Sequence, residues 1–137
     1  MTDCTLVDRV PDLDDYLAFR AGAGWDAIDE RAARVGLARS LYSVCAYADG
    51  QLIGFGRVVG DGGCHFLIVD VIVRPDMQRQ GIGSKIMGAI MAYVAAHARK
   101  GTMISLMAAR GVAPFYEQFG FRARSQARPG MCIVWEG

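Results

Sequence analysis

Short runs of alternating apolar and polar residues fill the first half of the chain and predict a strand, two helices and a three-stranded meander. The second helix is expected to bury a side formed by Ile28, Ala32, Val35 and Ala38. Asp49-Gly50 predicts a two-residue hairpin turn between the first two meander strands. The predicted elements are a strand over 5–10, a helix from Pro11 that breaks at 21–24, a helix over 26–39, and strands over 41–47, 51–59 and 64–73.

A buried strand–helix–strand unit is predicted in the second half of the chain. The third meander strand ends in HFLIVDVIV (65–73), which is apolar on both faces except at Asp70 and is typical of a central strand. A helix over 82–99 follows, and a strand over 103–108 makes this a right-handed parallel crossover if both strands share a sheet. The helix carries a stripe expected to be buried, formed by Ile82, Ile86, Ile90 and Val94. A short helix over 111–119 and a hairpin of strands over 121–126 and 131–136 complete the predicted elements.

Composition narrows the class of protein. The 137 residues predict a single domain over 1–137, and a hydrophobic content of 53% with 21% charged residues excludes a disordered chain. A formal net charge of +1 argues against a broad nucleic-acid-binding face. The longest apolar run, over 86–96, is shorter than the roughly 20 residues that cross a bilayer, so neither nucleic acid nor membrane is expected as a partner.

Cysteine and histidine usage predicts no metal site. The four cysteines form no C-x-x-C pair, and the two histidines are distant from each other in sequence. We expect reduced, mostly buried thiols in a cytoplasmic protein. The first ten residues also lack the basic and apolar regions of a signal peptide.

The segment QRQGIGS (78–84), between the buried strand and the long helix, has the composition of a phosphate-binding turn. Gly81 and Gly83 allow a close approach of the backbone, and the helix start directs free N–H groups at a bound anion. The alternative is an ordinary helix start with two turn glycines and solvated basic residues. A P-loop is excluded because Lys85 follows Ser84 instead of preceding it, and a dinucleotide fingerprint because position 86 is isoleucine.

Two segments together resemble the GNAT acyltransferase superfamily. VIVRPDMQRQGIGSKIM resembles its acyl-CoA-binding core, with the [QR]-x-x-G-x-[GA] motif met by Gln78, Gly81 and Gly83. AARGVAPFYEQFGF (108–121) is similar to the family's late helix, with its aromatic-Tyr pair and closing Gly-Phe. The resemblance implies an α/β (α+β) fold with a mixed, mostly antiparallel sheet of about seven strands, flanked by about four helices, whose central strands splay apart.

The resemblance implies that acetyl-CoA is the co-substrate, held chiefly by backbone groups. Its pantetheine arm would lie in the wedge between the splayed strands, with the Val71 N–H at the thioester carbonyl. Its pyrophosphate would rest on N–H groups of residues 79–84. The residues assigned to acetyl-CoA are Val71, Ile72, Val73, Gln78, Arg79, Gln80, Gly81, Ile82, Gly83, Ser84, Phe115 and Tyr116.

Catalytic roles are implied for Tyr116, Asp70 and Val71. Tyr116 matches the family position of the acid that protonates the departing thiolate; alternatively, its ring only packs on the cofactor wedge. The Asp70 carboxylate is expected on the face opposite Val69 and Val71. It could deprotonate the amine through water or bind its ammonium group, or it could be a buried carboxylate satisfied by backbone groups or by Arg57.

The resemblance implies an acceptor on the side opposite the cofactor. Trp25 would be a mobile aromatic lid or an ordinary core residue, and Arg57 would clamp a substrate carboxylate or pair with Asp70. The candidate acceptor-binding residues are Trp25, Tyr42, Arg57, Phe66 and Asp70, with Asp26 and Asp29 beside them.

The expected activity is transfer of an acetyl group to a primary amine, by direct attack in a ternary complex. A small or amino-acid-like acceptor is favoured, because the chain has little beyond a core fold for docking a protein. The alternatives are a non-catalytic acyl-CoA-binding regulatory module and a protein or peptide N-acetyltransferase. Proteins of this architecture often pair through C-terminal strands, so the apolar segment MCIVW, which ends at Trp135, predicts a possible homodimer.

Overall fold

A computed structural model describes residues 3–136, and the chain divides into two units between Leu106 and Met107. The second unit contains one short helix, α4 (Ala113–Glu117). The elements of the first unit are β1 (Thr5–Val7), α1 (Leu13–Gly22), α2 (Glu30–Ala38), β2 (Tyr42–Ala48), β3 (Gln51–Gly60), β4 (His65–Val73), α3 (Ile82–His97) and β5 (Met103–Leu106). A 3-10 turn over Pro75–Met77 connects β4 to α3.

The five strands form one mixed sheet in the order β1-β2-β3-β4-β5. The first three neighbouring pairs are antiparallel, and β4 and β5 are parallel, which confirms the predicted crossover through α3. The meander is also confirmed. Asp49 and Gly50 both have positive φ, at 50° and 74°, as a two-residue turn between strands of right-handed twist requires.

Helix α3 packs on one face of the sheet through the predicted stripe, because Ile82, Ile86, Ile90 and Val94 are all buried. Glycines in β3 make room for it. A Cβ atom on Gly56 would lie 2.8 Å from the Cδ1 of Ile90 and 2.9 Å from the Cγ2 of Ile86. Successive residues of a strand face opposite sides of a sheet, so Phe55 and Arg57 point away from α3.

The opposite face of the sheet is covered by α1 and α2. Tyr16 of α1 and Phe55 of β3 lie in this second core with their ring centroids 5.8 Å apart. The predicted buried side of the second helix is wrong. The helix begins only at Glu30, so Ile28 lies outside it, and its buried residues are Ala33 and Leu37, four positions apart on one face.

The predicted C-terminal hairpin is not formed, and the described residues contain five strands instead of about seven. Residues 121–136 are irregular apart from one turn. The alternating pattern of this segment lacks a partner strand among the described residues, and a strand needs one for its backbone groups. Its apolar side chains stay 68–89% exposed at Met131, Ile133, Val134 and Trp135.

The four cysteine thiols are free. Cys45 is buried, and burial raises the pKa of its thiol to about 11. Cys64 and Cys132 are exposed, so the expectation of mostly buried thiols is wrong. No helix within residues 3–136 is both long and apolar enough to span a membrane.

A substitution at Gly60, at the end of β3, tests the packing of the meander. Its φ is 145°, and a Cβ atom there would lie 2.1 Å from the carbonyl oxygen of His65. Because backbone cannot move aside cheaply, Gly60→Ala is expected to lower the free energy of unfolding by about 1–3 kcal/mol. Urea denaturation measures this. Gly63→Ala is the matched control, since nothing lies within 4 Å of its Cβ position; equal stability of the two variants would contradict the prediction.

Candidate active site

A β-bulge interrupts the pairing of β3 and β4. Phe55 pairs with Ile72 and Arg57 pairs with Val69, so Asp70 and Val71 together oppose the single residue Gly56. Asp70 has a φ of 56°, which is left-handed and uncommon for a residue with a side chain. A bulge leaves its extra residue out of the hydrogen-bond ladder. The bulge therefore lies at the position where the Val71 N–H was predicted to act.

Asp70 is fixed by two hydrogen bonds and an ion pair, all to its Oδ2. The Tyr16 hydroxyl donates at 2.8 Å, Nε of Arg57 donates at 2.9 Å, and Nη2 of Arg57 forms the ion pair at 2.9 Å. The side chains of Arg57 and Asp70 are each only 10% exposed. Burial, followed by the negative charge of Asp70, raises the pKa of Tyr16, so its phenol remains a donor at neutral pH. Of the alternatives for Asp70, this geometry favours the buried, partnered carboxylate over the free base.

Arg57 joins the bulge to the last turn of α2 and to the connection after it. Its Nη1 donates to the carbonyl of Gly36 at 3.2 Å and to the Ser40 hydroxyl at 2.8 Å. Four polar contacts therefore hold this guanidinium in place. Two roles are predicted for Arg57, a clamp for a substrate carboxylate and an ion pair with Asp70. The structure shows the ion pair.

The bulge also corrects the predicted alternation along β4. The Val71 side chain lies on the α3 side, with its Cγ2 3.4 Å from the Cβ position of Gly56. Asp70 lies on the opposite face with Arg57, as predicted relative to Val71. Val69 pairs with Arg57 and therefore shares the face of Asp70, so the expectation that Val69 opposes Asp70 is wrong. A bulge puts two neighbouring residues on one face, which simple alternation cannot foresee.

The predicted acceptor residues fall on both faces of the sheet. Trp25 and Arg57 lie on the side of α1 and α2, where Trp25 is partly buried against the second core. Tyr42 stacks on Tyr93 of α3 at 4.8 Å and donates from its hydroxyl to Asp8 at 2.8 Å. Phe66 is buried beside the same Tyr93 ring, at 6.2 Å. The structure therefore places Trp25, Arg57 and Asp70 on one face of the sheet and Tyr42 and Phe66 on the other.

Asp26 and Asp29 have local roles in the α1–α2 connection. The Asp26 carbonyl accepts a hydrogen bond from Nη2 of Arg20 at 2.8 Å. The Asp29 side chain caps α2 by accepting from the Ala32 N–H at 2.9 Å.

The turn before α3 offers a concentration of backbone N–H groups. Arg79 and Gly81 have left-handed φ values of 64° and 83°. Gly81 is the N-cap of α3, and no side chain caps the helix there. The first N–H groups of a helix have no partner within it, and left-handed turn residues direct neighbouring N–H groups to one side. The predicted residues Gln80, Gly83 and Ser84 lie within this segment, whereas the Ile82 side chain is buried and leaves only its backbone for a ligand.

The parallel pairing of β4 and β5 ends before the bulge is reached. It runs from His65 with Met103 to Ile68 with Leu106, where β5 ends. Residues 69–73 of β4, which include Ile72 and Val73 assigned to the co-substrate, therefore extend beyond β5.

A cavity of about 250 Å³ lies beside the end of β4. It includes the predicted residues Ile72, Val73 and Gln78, and the Gln78 side chain donates to the Val73 carbonyl at 3.0 Å. Sequence reasoning missed the contribution of the last turns of α1, whose small residues at 21–24 were interpreted only as a helix break. The lining residues are Ala18, Phe19, Gly22, Ala23, Ile72, Val73, Arg74, Pro75 and Gln78.

In the second unit, Tyr116 lies within an aromatic group. Its ring centroid is 5.1 Å from that of Phe115 and 6.4 Å from that of Phe121. Burial raises the pKa of Tyr116, so the phenol carries its proton at neutral pH. A proton donor is thus available on α4, as the predicted acid role requires.

A family model described as an acetyltransferase (GNAT) domain matches residues 27–123. The chain belongs to the GNAT acetyltransferase family. This assignment confirms the resemblance seen in its motifs and identifies an acetyltransferase domain. Acetyl-CoA is the co-substrate of this family.

Solved GNAT structures share the fold closely. A protein of unknown function and probable acetyltransferase, SA2161 from meticillin-resistant Staphylococcus aureus, is 36% identical, with a TM-score of 0.92 over 97% of this chain and 100% of that one. The GNAT family protein SP0256 from Streptococcus pneumoniae is 26% identical, with a TM-score of 0.78 over 98% of each chain.

Curated GNAT relatives match over about half of the chain. GCN5-related N-acetyltransferase 3, chloroplastic, of Arabidopsis thaliana is 35% identical over 74 residues, which are 54% of this chain and 30% of that protein. The uncharacterized N-acetyltransferase ycf52 of Pyropia yezoensis is 31% identical over 74 residues, or 54% of this chain and 41% of that protein. The chain therefore spans less than half the length of these relatives.

The donor set of this GNAT chain fits an acyl-CoA. A thioester oxygen and a pyrophosphate both need hydrogen-bond donors, and the uncapped start of α3 has backbone N–H groups for the pyrophosphate. Within residues 3–136, no group of three or more His, Cys, Asp or Glu side chains is placed to hold a metal ion.

Proposed function

We propose that this chain transfers the acetyl group of acetyl-CoA to a primary amine of a small or amino-acid-like acceptor, by direct attack in a ternary complex. The observation that carries the proposal is the bulge at Asp70 and Val71, because a bulge leaves a residue outside the hydrogen-bond ladder and this one lies beyond the end of the pairing with β5. The family assignment supports acyl transfer, and this geometry supports the placement of the thioester.

The pyrophosphate of acetyl-CoA is proposed to bind the N–H groups of residues 79–84. The left-handed Arg79 and Gly81 and the uncapped start of α3 support this placement. The Val71 N–H would donate to the thioester oxygen as it gains negative charge. One such donor typically contributes a factor of about 10²–10³ in rate.

The proton steps are assigned to Tyr116 and to water. Tyr116 would protonate the departing thiolate, a role that rests on the family resemblance and on its retained proton. The Asp70 Oδ2 is engaged by Arg57 and Tyr16, and Phe66, Leu67 and Ile68 carry no proton-transfer group. A water chain therefore remains the best candidate for removing the amine proton.

The cavity of about 250 Å³ beside β4 is proposed to receive part of acetyl-CoA, because Ile72, Val73 and Gln78 line it.

The decisive experiment is a screen of primary amines with acetyl-CoA and detection of free thiol. We expect amine-dependent thiol release and formation of the N-acetyl product by mass spectrometry, with a reaction lacking amine as the control for hydrolysis. Saturable acetyl-CoA binding with no thiol release from any amine, including a peptide panel, would contradict the proposal and favour the binding module. Release with peptides alone would favour the protein acetyltransferase.

A cytoplasmic location and a homodimer also remain predictions. Free thiols are typical of a reducing compartment, which supports the location. The exposed apolar side chains over 131–135 support self-association, because large exposed apolar patches often mark interaction sites.

A further inference from the structure

Arg20, in the last turn of α1, is a mostly buried cation whose donors are incompletely used. Its side chain is 18% exposed, and its Nε is buried with no hydrogen-bond partner. Its Nη2 donates to the Asp26 carbonyl at 2.8 Å. Its Nη1 forms a long ion pair with Oδ1 of Asp70 at 3.8 Å, which is beyond hydrogen-bond distance. The guanidinium therefore retains donors for a further partner.

The charges around Arg20 do not balance. Arg20 and Arg57 contribute two positive charges, and Asp70 contributes one negative charge that is bound tightly to Arg57. A buried charge is costly unless an opposite charge and hydrogen bonds compensate it. A singly charged anion beside Arg20 would restore neutrality. A dianion such as phosphate fits less well, because the Asp70 carboxylate would repel it.

Two aromatic rings hold the Arg20 guanidinium in position. Its Cζ lies 5.5 Å from the Trp25 ring centroid and 5.8 Å from that of Tyr16. Such cation–π contacts restrict a long side chain before any ligand binds. A planar guanidinium held in this way matches the two oxygens of a carboxylate.

Arg57 does not compete for this role. Its Nε donates to Asp70, its Nη2 forms an ion pair with the same carboxylate, and its Nη1 donates to Gly36 and Ser40. Arg20 is the arginine of this cluster that keeps unused donors, and its partial exposure leaves a route for a small ligand.

We infer that Arg20 binds the carboxylate of the acceptor and thereby selects amines that carry a carboxylate, such as amino acids. This inference rests on the proposed function, since it names the acceptor class of the same reaction. Trp25 contributes by holding the guanidinium, which gives this aromatic residue a role other than that of a lid.

Binding can be tested without catalysis, using N-acetylglycine and its neutral amide, N-acetylglycinamide. We expect N-acetylglycine to shift the Trp25 indole N–H signal saturably in ¹H–¹⁵N spectra, with the amide binding at least about tenfold more weakly. The other tryptophan signal is assigned with Trp135→Phe. Equal binding of acid and amide, or no shift with either, would overturn the inference even if the protein acetylates other amines.

Variants of Arg20 connect this binding to selection of the acceptor. Arg20→Gln is expected to reduce the preference for an amino acid over its amide, in kcat/KM, by at least about tenfold, while Arg20→Lys keeps part of it. Arg34→Gln is the matched control, because Arg34 forms an exposed pair with Glu30 on α2. An unchanged preference in folded Arg20→Gln would overturn the inference. Absence of thiol release from every amine would instead refute the proposed function, and the N-acetylglycine titration would still decide the carboxylate site.

Discussion

Replacing Asp70 with alanine is expected to lower kcat by at least about 100-fold, whereas asparagine should keep it within about tenfold. Alanine leaves Arg57 buried without its partner, which costs about 3–5 kcal/mol of folding stability. It also adapts poorly to the φ of 56°, so the bulge and its backbone donor are lost. Asparagine tolerates that conformation, and its amide oxygen can accept from Tyr16 and Arg57. Steady-state kinetics and urea denaturation measure the two effects.

Comparing Asp70→Ala with Asp70→Asn also distinguishes an anchoring role of the carboxylate from a proton-transfer role. Asparagine cannot accept a proton at neutral pH, so a catalytic base would lose about 10²–10⁴ in rate on this change. Asp14→Asn, on the exposed side of α1, controls for the loss of a negative charge. A stable Asp70→Asn protein as inactive as Asp70→Ala would show that the carboxylate takes part in proton transfer and would refute the anchoring role.

Replacing Tyr116 with phenylalanine is expected to lower kcat by about 100-fold and leave the KM for acetyl-CoA nearly unchanged. The change removes the hydroxyl and keeps the ring, so contacts with Phe115 and Phe121 persist. Burial raises the pKa of Tyr116, and the phenol therefore holds a proton to donate at neutral pH. Thiol release under saturating acetyl-CoA gives both constants.

Tyr47→Phe on β2 is the matched control for Tyr116→Phe, because it removes a hydroxyl from another tyrosine. A packing role makes a different prediction, because Tyr116→Phe would then be neutral while Tyr116→Leu would raise the KM. An unchanged kcat in Tyr116→Phe would remove the acid role and leave the rest of the proposed function in place.

Most of the fold could be predicted from local patterns. The isoleucines of α3 recur every four residues and are buried as expected, because a helical stripe needs no knowledge of the rest of the chain. Asp49-Gly50 likewise predicted its hairpin turn, because the two residues alone favour the positive φ values that the turn requires. The glycines of the turn before α3 predicted its left-handed backbone, since Gly81 adopts the conformation that glycine tolerates best.

What could not be predicted depends on partners distant in sequence. The bulge at Asp70 arises from the register between β3 and β4, so no alternation rule reveals that Val69 and Asp70 share a face. Tyr42 and Phe66 were placed with the acceptor, but their strand positions direct them to Tyr93 on α3. The unused donors of Arg20 become apparent only when every contact of Arg57 is known.

Gly56 and the two isoleucines that face it share one fixed volume between the sheet and α3. A Cβ atom at position 56 would overlap both Ile86 and Ile90, so a larger residue there requires a smaller one on the helix. Substitutions at these positions will therefore be non-additive. A mutant library intended to change the acceptor should keep all three residues constant, or vary them as a single unit.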